Sequence, residues 1–231
     1  MHYNGLELYA SIEDMLDFSE TVEKLYGAFY KKLKTFNNIS TVLDIGCGSG
    51  AFGLGLLGRG YRAQGIDLSQ KMVENSISAG FDAKAVDLCE VKEKFDAATA
   101  VFDVLNYLDK DGLKNFFGCV GNILNSGGYF LADLNTEYGF SVIAPGVISF
   151  EDDKRYVVLD AEYEDRILTT NINVFEKQVG GLYDRKEGEI IQHYHTRKDI
   201  ESITDLKVVE CVEIGLYGKK PDKLLYVFKK S

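Results

Sequence analysis

Three glycines at alternate positions, Gly46, Gly48 and Gly50, are the feature that most constrains how this 231-residue chain can fold. They follow a short apolar run, and a helix-forming segment, 51–57, comes directly after them. Glycine has no Cβ, so the backbone of such a loop can approach a ligand closely, and the first N–H groups of the following helix are free to bind it. The segment therefore predicts a buried strand over 40–45, a ligand-binding loop and a helix.

Strands and helices alternate through the first 135 residues. Short apolar runs bounded by turn residues alternate with segments of helical periodicity, which is typical of a parallel sheet covered by helices on both faces. The predicted strands are 40–45, 62–66, 83–86, 95–102 and 129–134, and the predicted helices are 51–57, 70–79 and 113–124. We therefore expect an α/β fold with a doubly wound, Rossmann-like and mostly parallel sheet.

Helices are predicted near one end of the chain and a strand hairpin near the other. Residues 11–36 have apolar side chains at helical spacing, and Ser11 with Asp14 resembles a capping box, so a helical cover is expected over 1–36. Near the other end, 207–216 and 224–228 read as two strands joined by a turn. They predict an antiparallel C-terminal hairpin at one edge of the sheet.

Between these parts the sequence no longer alternates between predicted strands and helices. Residues 148–195 show β-type alternation without a convincing helix, with Gly180-Gly181 as one hairpin turn and 185–188 as the next. This segment predicts an antiparallel sheet inserted as a lid. Thr196 with Asp199 then resembles a capping box that opens a short helix. The main domain is accordingly predicted over 1–147 and 196–231, and the lid over 148–195.

An aspartate stands two residues before the first glycine. Gly46 to Ala51 also satisfies a dinucleotide fingerprint, G-x-G-x-x-G/A, with Asp67 at about the distance of its ribose-binding acid. However, the carboxylate of Asp44 suits a ligand that carries an ammonium group and suits a pyrophosphate poorly. We therefore favour an aminoacyl ligand, and an NAD-dependent oxidoreductase remains an alternative.

The segment from Asp44 to Gly50 resembles the first motif of class I S-adenosylmethionine-dependent methyltransferases, an acidic residue followed by x-G-x-G-x-G. The segment Gly65-Ile66-Asp67-Leu68-Ser69 resembles the second motif of this family. The resemblance implies S-adenosyl-L-methionine as cofactor, with Asp67 accepting hydrogen bonds from both ribose hydroxyls. It also implies that Leu68 lies on one face of the adenine.

Two later segments continue the resemblance, which covers residues 40–135. Asp87 and Leu88 occupy the adenine-edge position, although a solvated loop aspartate is an alternative for Asp87. Residues 102–108 resemble the segment that lines the sulfonium end of the cofactor. The cofactor-binding residues implied by the resemblance are Asp44, Gly46, Cys47, Gly48, Gly50, Asp67, Leu68, Met72, Asp87, Leu88, Phe102 and Asp103.

Methyl transfer from a sulfonium is an in-line displacement that depends on alignment and exclusion of water. The sequence accordingly needs no catalytic triad, and none is found; no metal site is expected. His193 and His195, two apart on one predicted strand, are candidates to orient or deprotonate an acceptor, and Tyr107 is a candidate to contact the sulfonium. A half-exposed strand face is the alternative for the histidines, and core packing is the alternative for the tyrosine.

The predicted lid follows the fifth strand, at the edge where open α/β sheets bind ligands. A lid there can cover the cofactor and form the pocket for a small-molecule acceptor, methylated on nitrogen or oxygen. A surface for homodimer formation is the alternative, and both roles can hold together. Because no general base is identifiable, a non-catalytic cofactor-binding or scaffold protein is a further alternative.

Charge and composition limit the classes of partner that the chain is expected to bind. The chain has 26 Lys and Arg against 36 Asp and Glu, a net charge of -10, so no nucleic-acid partner is expected. No apolar run approaches the roughly 18 residues needed to span a bilayer, so no membrane association is expected. The four cysteines form no CxxC pair and the first residues do not resemble a signal peptide, which predicts reduced thiols and a cytoplasmic location.

Overall fold

The computed structural model describes residues 3–16 and 19–231, and seven of its strands form one main sheet. These strands are β1 (Thr41–Ile45), β2 (Arg62–Asp67), β3 (Ala83–Ala85), β4 (Phe95–Ala100), β5 (Leu124–Asn135), β10 (Lys207–Ile214) and β11 (Lys223–Lys229). Their order is β3-β2-β1-β4-β5-β11-β10. The first five run parallel, whereas β11 is antiparallel to both of its neighbours. The predicted mostly parallel sheet with an antiparallel hairpin at one edge is confirmed.

Helices cover both faces of the main sheet. Those on this sheet are α2 (Ser19–Leu33), α3 (Ala51–Leu57), α4 (Gln70–Ser78), α5 (Lys110–Ile123) and α6 (Arg197–Ile203). The first helix, α1 (Gly5–Ala10), packs away from this sheet. Apolar residues of α2, α3 and α4 pack on one face, and those of α5 and α6 pack on the other. Successive strand side chains point to opposite faces, so in β1 Val42 joins the first of these clusters and Leu43 the second. The sheet is therefore buried on both sides.

Four more strands form a small sheet between β5 and α6, in the order β6-β7-β8-β9. They are β6 (Gly146–Glu151), β7 (Arg155–Glu164), β8 (Ile167–Lys177) and β9 (Tyr183–His193), each antiparallel to the next. The predicted turn at 185–188 is wrong, because Arg185 pairs with Phe175 and Gly188 with Ile172 inside the ladder. That stretch has the polar composition of a turn, but cross-strand pairing decides its conformation.

The N-terminal segment is divided between the two sheets. Asn4, rather than Ser11, caps the first helix, and Ser11 stands at the end of that helix. The expected capping role of Ser11 is therefore wrong. Leu8 and Ile12 pack into the apolar cluster of the small sheet. By contrast, α2 packs on the main sheet, so only part of the predicted helical cover lies there.

A disulfide links Cys89 to Cys119, which are 30 residues apart in the sequence. The expectation that all four cysteines are reduced is therefore wrong for this pair, and Cys47 and Cys211 are free. The fold brings the pair together by packing α5 beside the 3-10 turn Leu88–Glu90, a proximity that residue spacing does not reveal.

Among residues 3–16 and 19–231, no helix is both long enough and apolar enough to cross a membrane. The division into a main domain and an inserted lid, the cytoplasmic location, the homodimer and the lack of a nucleic-acid partner stay predictions.

Candidate functional site

The glycine loop lies at the carboxyl edge of the main sheet and is anchored to the neighbouring strand. The backbone N–H groups of Gly46 and Cys47 donate to the Ile66 carbonyl, at 2.8 and 3.0 Å. Gly46, Gly48 and Gly50 have φ values of 70°, 52° and 84°, a left-handed region that favours glycine. The strand–loop–helix prediction is confirmed, and α3 covers the predicted residues 51–57.

The three glycines differ in what surrounds them. A Cβ at Gly46 would lie 2.9 Å from the Val104 side chain, and one at Gly50 would meet Ser76 and Phe81. A Cβ at Gly48 would have no atom within 4 Å. Packing therefore requires glycine at the first and third positions, whereas Gly48 presents bare backbone to open space. A ligand could therefore approach this backbone closely.

Asp67 lies beside the bare backbone of Gly48 at the end of β2. One carboxylate oxygen accepts the Gly48 N–H and the other accepts the Ser69 N–H, both at 2.9 Å. Each carboxylate oxygen can accept a further hydrogen bond. The side chain is only partly buried, so its orientation is fixed while its remaining acceptor capacity stays accessible. This arrangement fits a ligand with two adjacent hydroxyls.

Asp44 lies in β1, two residues before the first glycine of the loop. It is buried, with 2% of its surface exposed. Its Oδ1 accepts a hydrogen bond from the Thr99 hydroxyl at 3.0 Å. Burial raises the pKa of Asp44 to about 7, and the nearby charge of Asp67 adds to this effect. A cation bound next to Asp44 would favour its charged form. The site therefore suits the ammonium group predicted from the sequence.

The predicted adenine residues are arranged around the ends of β2 and β3. Leu68 is 78% exposed, which leaves its side chain open to a flat apolar ligand. Met72 is half-buried in the first turn of α4, next to the Ser69 cap. Asp87 is exposed and accepts the Cys89 N–H at 2.8 Å. Leu88 packs into the core, so only its backbone can reach a ligand.

Cys47 and Phe102 are also predicted to bind the cofactor, but the packing of their side chains limits the contacts that they can make. The Cys47 side chain is buried in the α2–α4 cluster, and burial raises its thiol pKa to about 12. Its role is accordingly restricted to the backbone. Phe102 packs with Tyr26, at 5.7 Å between ring centroids, in the loop that follows β4. The assignment of these and the other cofactor residues stays a prediction.

Asp103, in the same loop, acts through its charge on several tyrosines. Burial, followed by the charges of Glu13, Tyr217 and Asp103, raises the pKa of Tyr9 to about 12. Burial and the charge of Asp103 also raise the pKa of Tyr107. Both phenols therefore keep their proton near neutral pH and can donate a hydrogen bond. The predicted role of Tyr107 at the reacting end is compatible with a donor and not with a resident base.

The two histidines lie where the small sheet returns to the main sheet. His193 is the last residue of β9, whereas His195 lies beyond the strand, so the expectation of one shared strand is wrong. His195 is 5% exposed, its Nε2 lies 2.8 Å from the Leu108 carbonyl, and burial lowers its pKa. His195 is thus neutral near pH 7 and already has a partner. Acid–base use of either histidine stays a prediction.

Four residues of this edge were missed in the sequence. Thr99 bonds Asp44, and Asn106 donates to the His193 carbonyl at 2.8 Å while accepting the Asn135 N–H at 3.0 Å. Asp133 and Lys223 form a buried ion pair, at 3.1 Å between Nζ and Oδ2. A charged residue inside the apolar run 130–134 is a signal that could have revealed Asp133.

The chain is similar in sequence to known proteins over part of its length. Residues 42–128 match the family model described as a methyltransferase domain. A Geobacillus protein named as a methyltransferase is 27% identical over 135 residues, which is 54% of this chain and 55% of that protein. The chain thus spans about half the length of this curated relative.

Solved structures are similar over nearly the whole chain. An S-adenosylmethionine-dependent methyltransferase from Clostridium acetobutylicum is 25% identical, with a TM-score of 0.76 over 98% of this chain and 97% of that one. An amino pentose methyltransferase from Micromonospora echinaspora is 16% identical, with a TM-score of 0.71 over 99% and 98% of the two chains. The second likeness shows a shared fold alone.

Proposed function

We propose that this chain, which carries a methyltransferase domain of the S-adenosylmethionine-dependent class, transfers a methyl group to nitrogen or oxygen of a small molecule. The observation that carries the proposal is the juxtaposition of Asp44, Asp67 and the bare backbone of Gly48 at one sheet edge. An ammonium, a ribose diol and a close backbone approach are the features of the cofactor that these three groups suit.

Each residue contributes binding or orientation. The cofactor, when bound, supplies a methyl group on a positively charged sulfur. Asp44 holds the ammonium of its amino-acid part, and Asp67 holds the ribose. Leu68 and the backbone of Leu88 contact the adenine, with Asp87 at its edge. These contacts would fix the methyl donor so that an acceptor can approach in line, and such alignment lowers the barrier.

The acceptor is proposed to lie between Asp103 and the small sheet. The side chains of Tyr9 and Tyr107 pack against the apolar cluster of the small sheet. The charge of Asp103 contributes to the raised pKa values of both phenols. Phenol donors and a carboxylate can orient an amine or a hydroxyl while the small sheet excludes water. The similar amino pentose methyltransferase supports the small-molecule class, although it shares only the fold.

The proposal is tested by calorimetric titration with S-adenosylhomocysteine, the demethylated product. We expect binding, and we expect Asp67→Ala to weaken it by about 1.5–3 kcal/mol, the scale of hydrogen bonds to a charged group. Asp82→Ala is the matched control, since Asp82 is exposed just before β3 and accepts a hydrogen bond from Gln64. The Asp82 variant should bind S-adenosylhomocysteine with the affinity of the wild type. Equal affinity of the Asp67 variant would show that the ribose assignment is wrong.

Two further outcomes separate the alternatives. Binding of NAD(H) without binding of S-adenosylhomocysteine would favour the oxidoreductase. Tight cofactor binding without methylation in a screen of amines, amino sugars and hydroxy acids would favour a non-catalytic cofactor-binding protein.

A further inference from the structure

Lys223 is a buried lysine at the carboxyl edge of the main sheet. It is the first residue of β11 and only 3% exposed. Its ammonium contacts a carboxylate oxygen of Asp103 and, at 3.1 Å, Oδ2 of Asp133. Burial alone would lower the pKa of Lys223, but the two carboxylates more than offset it, so the pKa lies above the ordinary value. The side chain is therefore a permanent cation between two acids.

Asp133 connects this cation to the backbone of the loop after β4. Its Oδ1 accepts the Phe102 N–H at 2.7 Å, and its Oδ2 accepts the Asp103 N–H at 3.3 Å. Phe102 and Asp103 have φ values of 64° and 62°, which are left-handed and uncommon for residues other than glycine. Such conformations persist only where the surroundings hold them. The Asp133 carboxylate does so here, and Lys223 compensates its buried charge.

This left-handed turn is in direct contact with the glycine loop. Val104 follows it, and the side chain of Val104 would lie 2.9 Å from a Cβ at Gly46. The turn also places the Phe102 ring against Tyr26 and the Asp103 carboxylate at the proposed acceptor pocket. A shift of the turn would therefore change the glycine loop and the pocket together.

A purely stabilising role explains Lys223 less well. Replacing buried ion pairs by apolar side chains of similar size is often neutral or stabilising, because desolvation cancels much of the attraction. The position of Lys223, by contrast, joins the C-terminal hairpin to a loop that borders both predicted ligand sites.

We infer that Lys223 is a positioning residue, which holds the left-handed turn at Phe102 and Asp103 through Asp133 and thereby sets the geometry of the cofactor site. This inference rests on the proposed function, because it assumes that the cofactor binds at the glycine loop.

The test compares Lys223→Met with Lys230→Met. Lys230 follows β11, is partly buried, and donates to the carbonyls of Gly121 and Leu124 at 2.6 and 2.9 Å, away from the site. Calorimetry with S-adenosylhomocysteine should show about a tenfold weaker affinity for Lys223→Met, and an affinity within about twofold of wild type for the control. Thermal unfolding is measured for both variants.

A double variant separates positioning from stability. Lys223→Met leaves the buried Asp133 carboxylate uncompensated, and Lys223→Met with Asp133→Asn removes that charge, so its melting temperature should recover. The affinity should stay about tenfold weak, because an amide at position 133 has one acceptor oxygen for the two backbone N–H groups and no longer has the ammonium that orients it. Recovery of affinity together with stability would overturn the inference. Failure of the wild type to bind would instead overturn the proposed function.

Discussion

The main sheet and the small sheet reach stability in different ways. The main sheet is covered by helices on both faces, and each face has its own apolar cluster. The small sheet has one such cluster, which is completed by Leu8 and Ile12 of the N-terminal segment. Its outer side chains include exposed apolar residues such as Ile167 and Ile191. The proposed cofactor site thus lies on a doubly covered sheet, whereas the small sheet depends on a short docked segment.

The two sheets have separate apolar clusters and are joined by polar contacts. Asn106, which is fully buried, bridges the His193 carbonyl at the end of β9 and the Asn135 N–H at the end of β5. A change confined to one sheet should therefore leave most of the other unchanged. Each substitution is accordingly expected to affect one region of the molecule.

The largest effect is expected for Ile172→Ala in the small sheet. Ile172 is fully buried in the single apolar cluster, and such truncations cost about 2–5 kcal/mol. Urea unfolding should show the loss, and amide hydrogen exchange should place it in β7–β9. Ile191→Ala is the control on the exposed face and should change stability by less than about 0.5 kcal/mol. Equal exchange increases in β1 and β4 would contradict the separation.

A somewhat smaller effect is expected for loss of the disulfide that links α5 to the 3-10 turn Leu88–Glu90. Replacing both Cys89 and Cys119 by serine, or adding a dithiol reductant to the wild type, should lower the free energy of unfolding by about 2–4 kcal/mol. Hydrogen exchange in the small sheet should not change. The double serine variant should be insensitive to the reductant, which is the control. A double serine variant as stable as the wild type would show that the bond contributes nothing.

The smallest effect is expected for the pH dependence of cofactor affinity, which concerns the cofactor site alone. With the pKa of Asp44 at about 7, its charged fraction falls from about 0.9 at pH 8 to about 0.1 at pH 6. Affinity for S-adenosylhomocysteine should fall about tenfold over this range, because a neutral acid attracts the ammonium less.

The unliganded protein should respond to pH in the opposite direction. A raised carboxyl pKa in the folded state means that stability decreases as the pH rises towards 7 and the proton is lost. Asp44→Asn should bind weakly at both pH 6 and pH 8. A wild-type affinity that is equal at the two values would contradict the role given to Asp44.

Local patterns predicted the elements that local interactions determine. The helix at Ala51–Leu57 was predicted to the residue, because a glycine loop precedes it and turn residues follow it. The capping box of Thr196 and Asp199 was likewise confirmed at the start of α6. Where a few neighbouring residues set the conformation, the sequence is sufficient.

Contacts between distant segments were not predictable in this way. Lys223 and Asp133 are 90 residues apart and meet only because β11 pairs with β5. The disulfide partners are 30 residues apart and meet through the packing of α5. The glycine loop was therefore predicted as a ligand site, whereas the ion pair that supports its neighbouring turn was not.

The phenols around Asp103 have a practical consequence for spectroscopy. The chain contains 14 tyrosines and no tryptophan, so its ultraviolet emission comes from tyrosine alone. Tyr9 and Tyr107 are among the emitters and lie where the acceptor is proposed to bind. A single indole introduced by Tyr217→Trp would be the chain's sole tryptophan and could be excited selectively. Ligand screening could then follow an optical signal before any acceptor is identified.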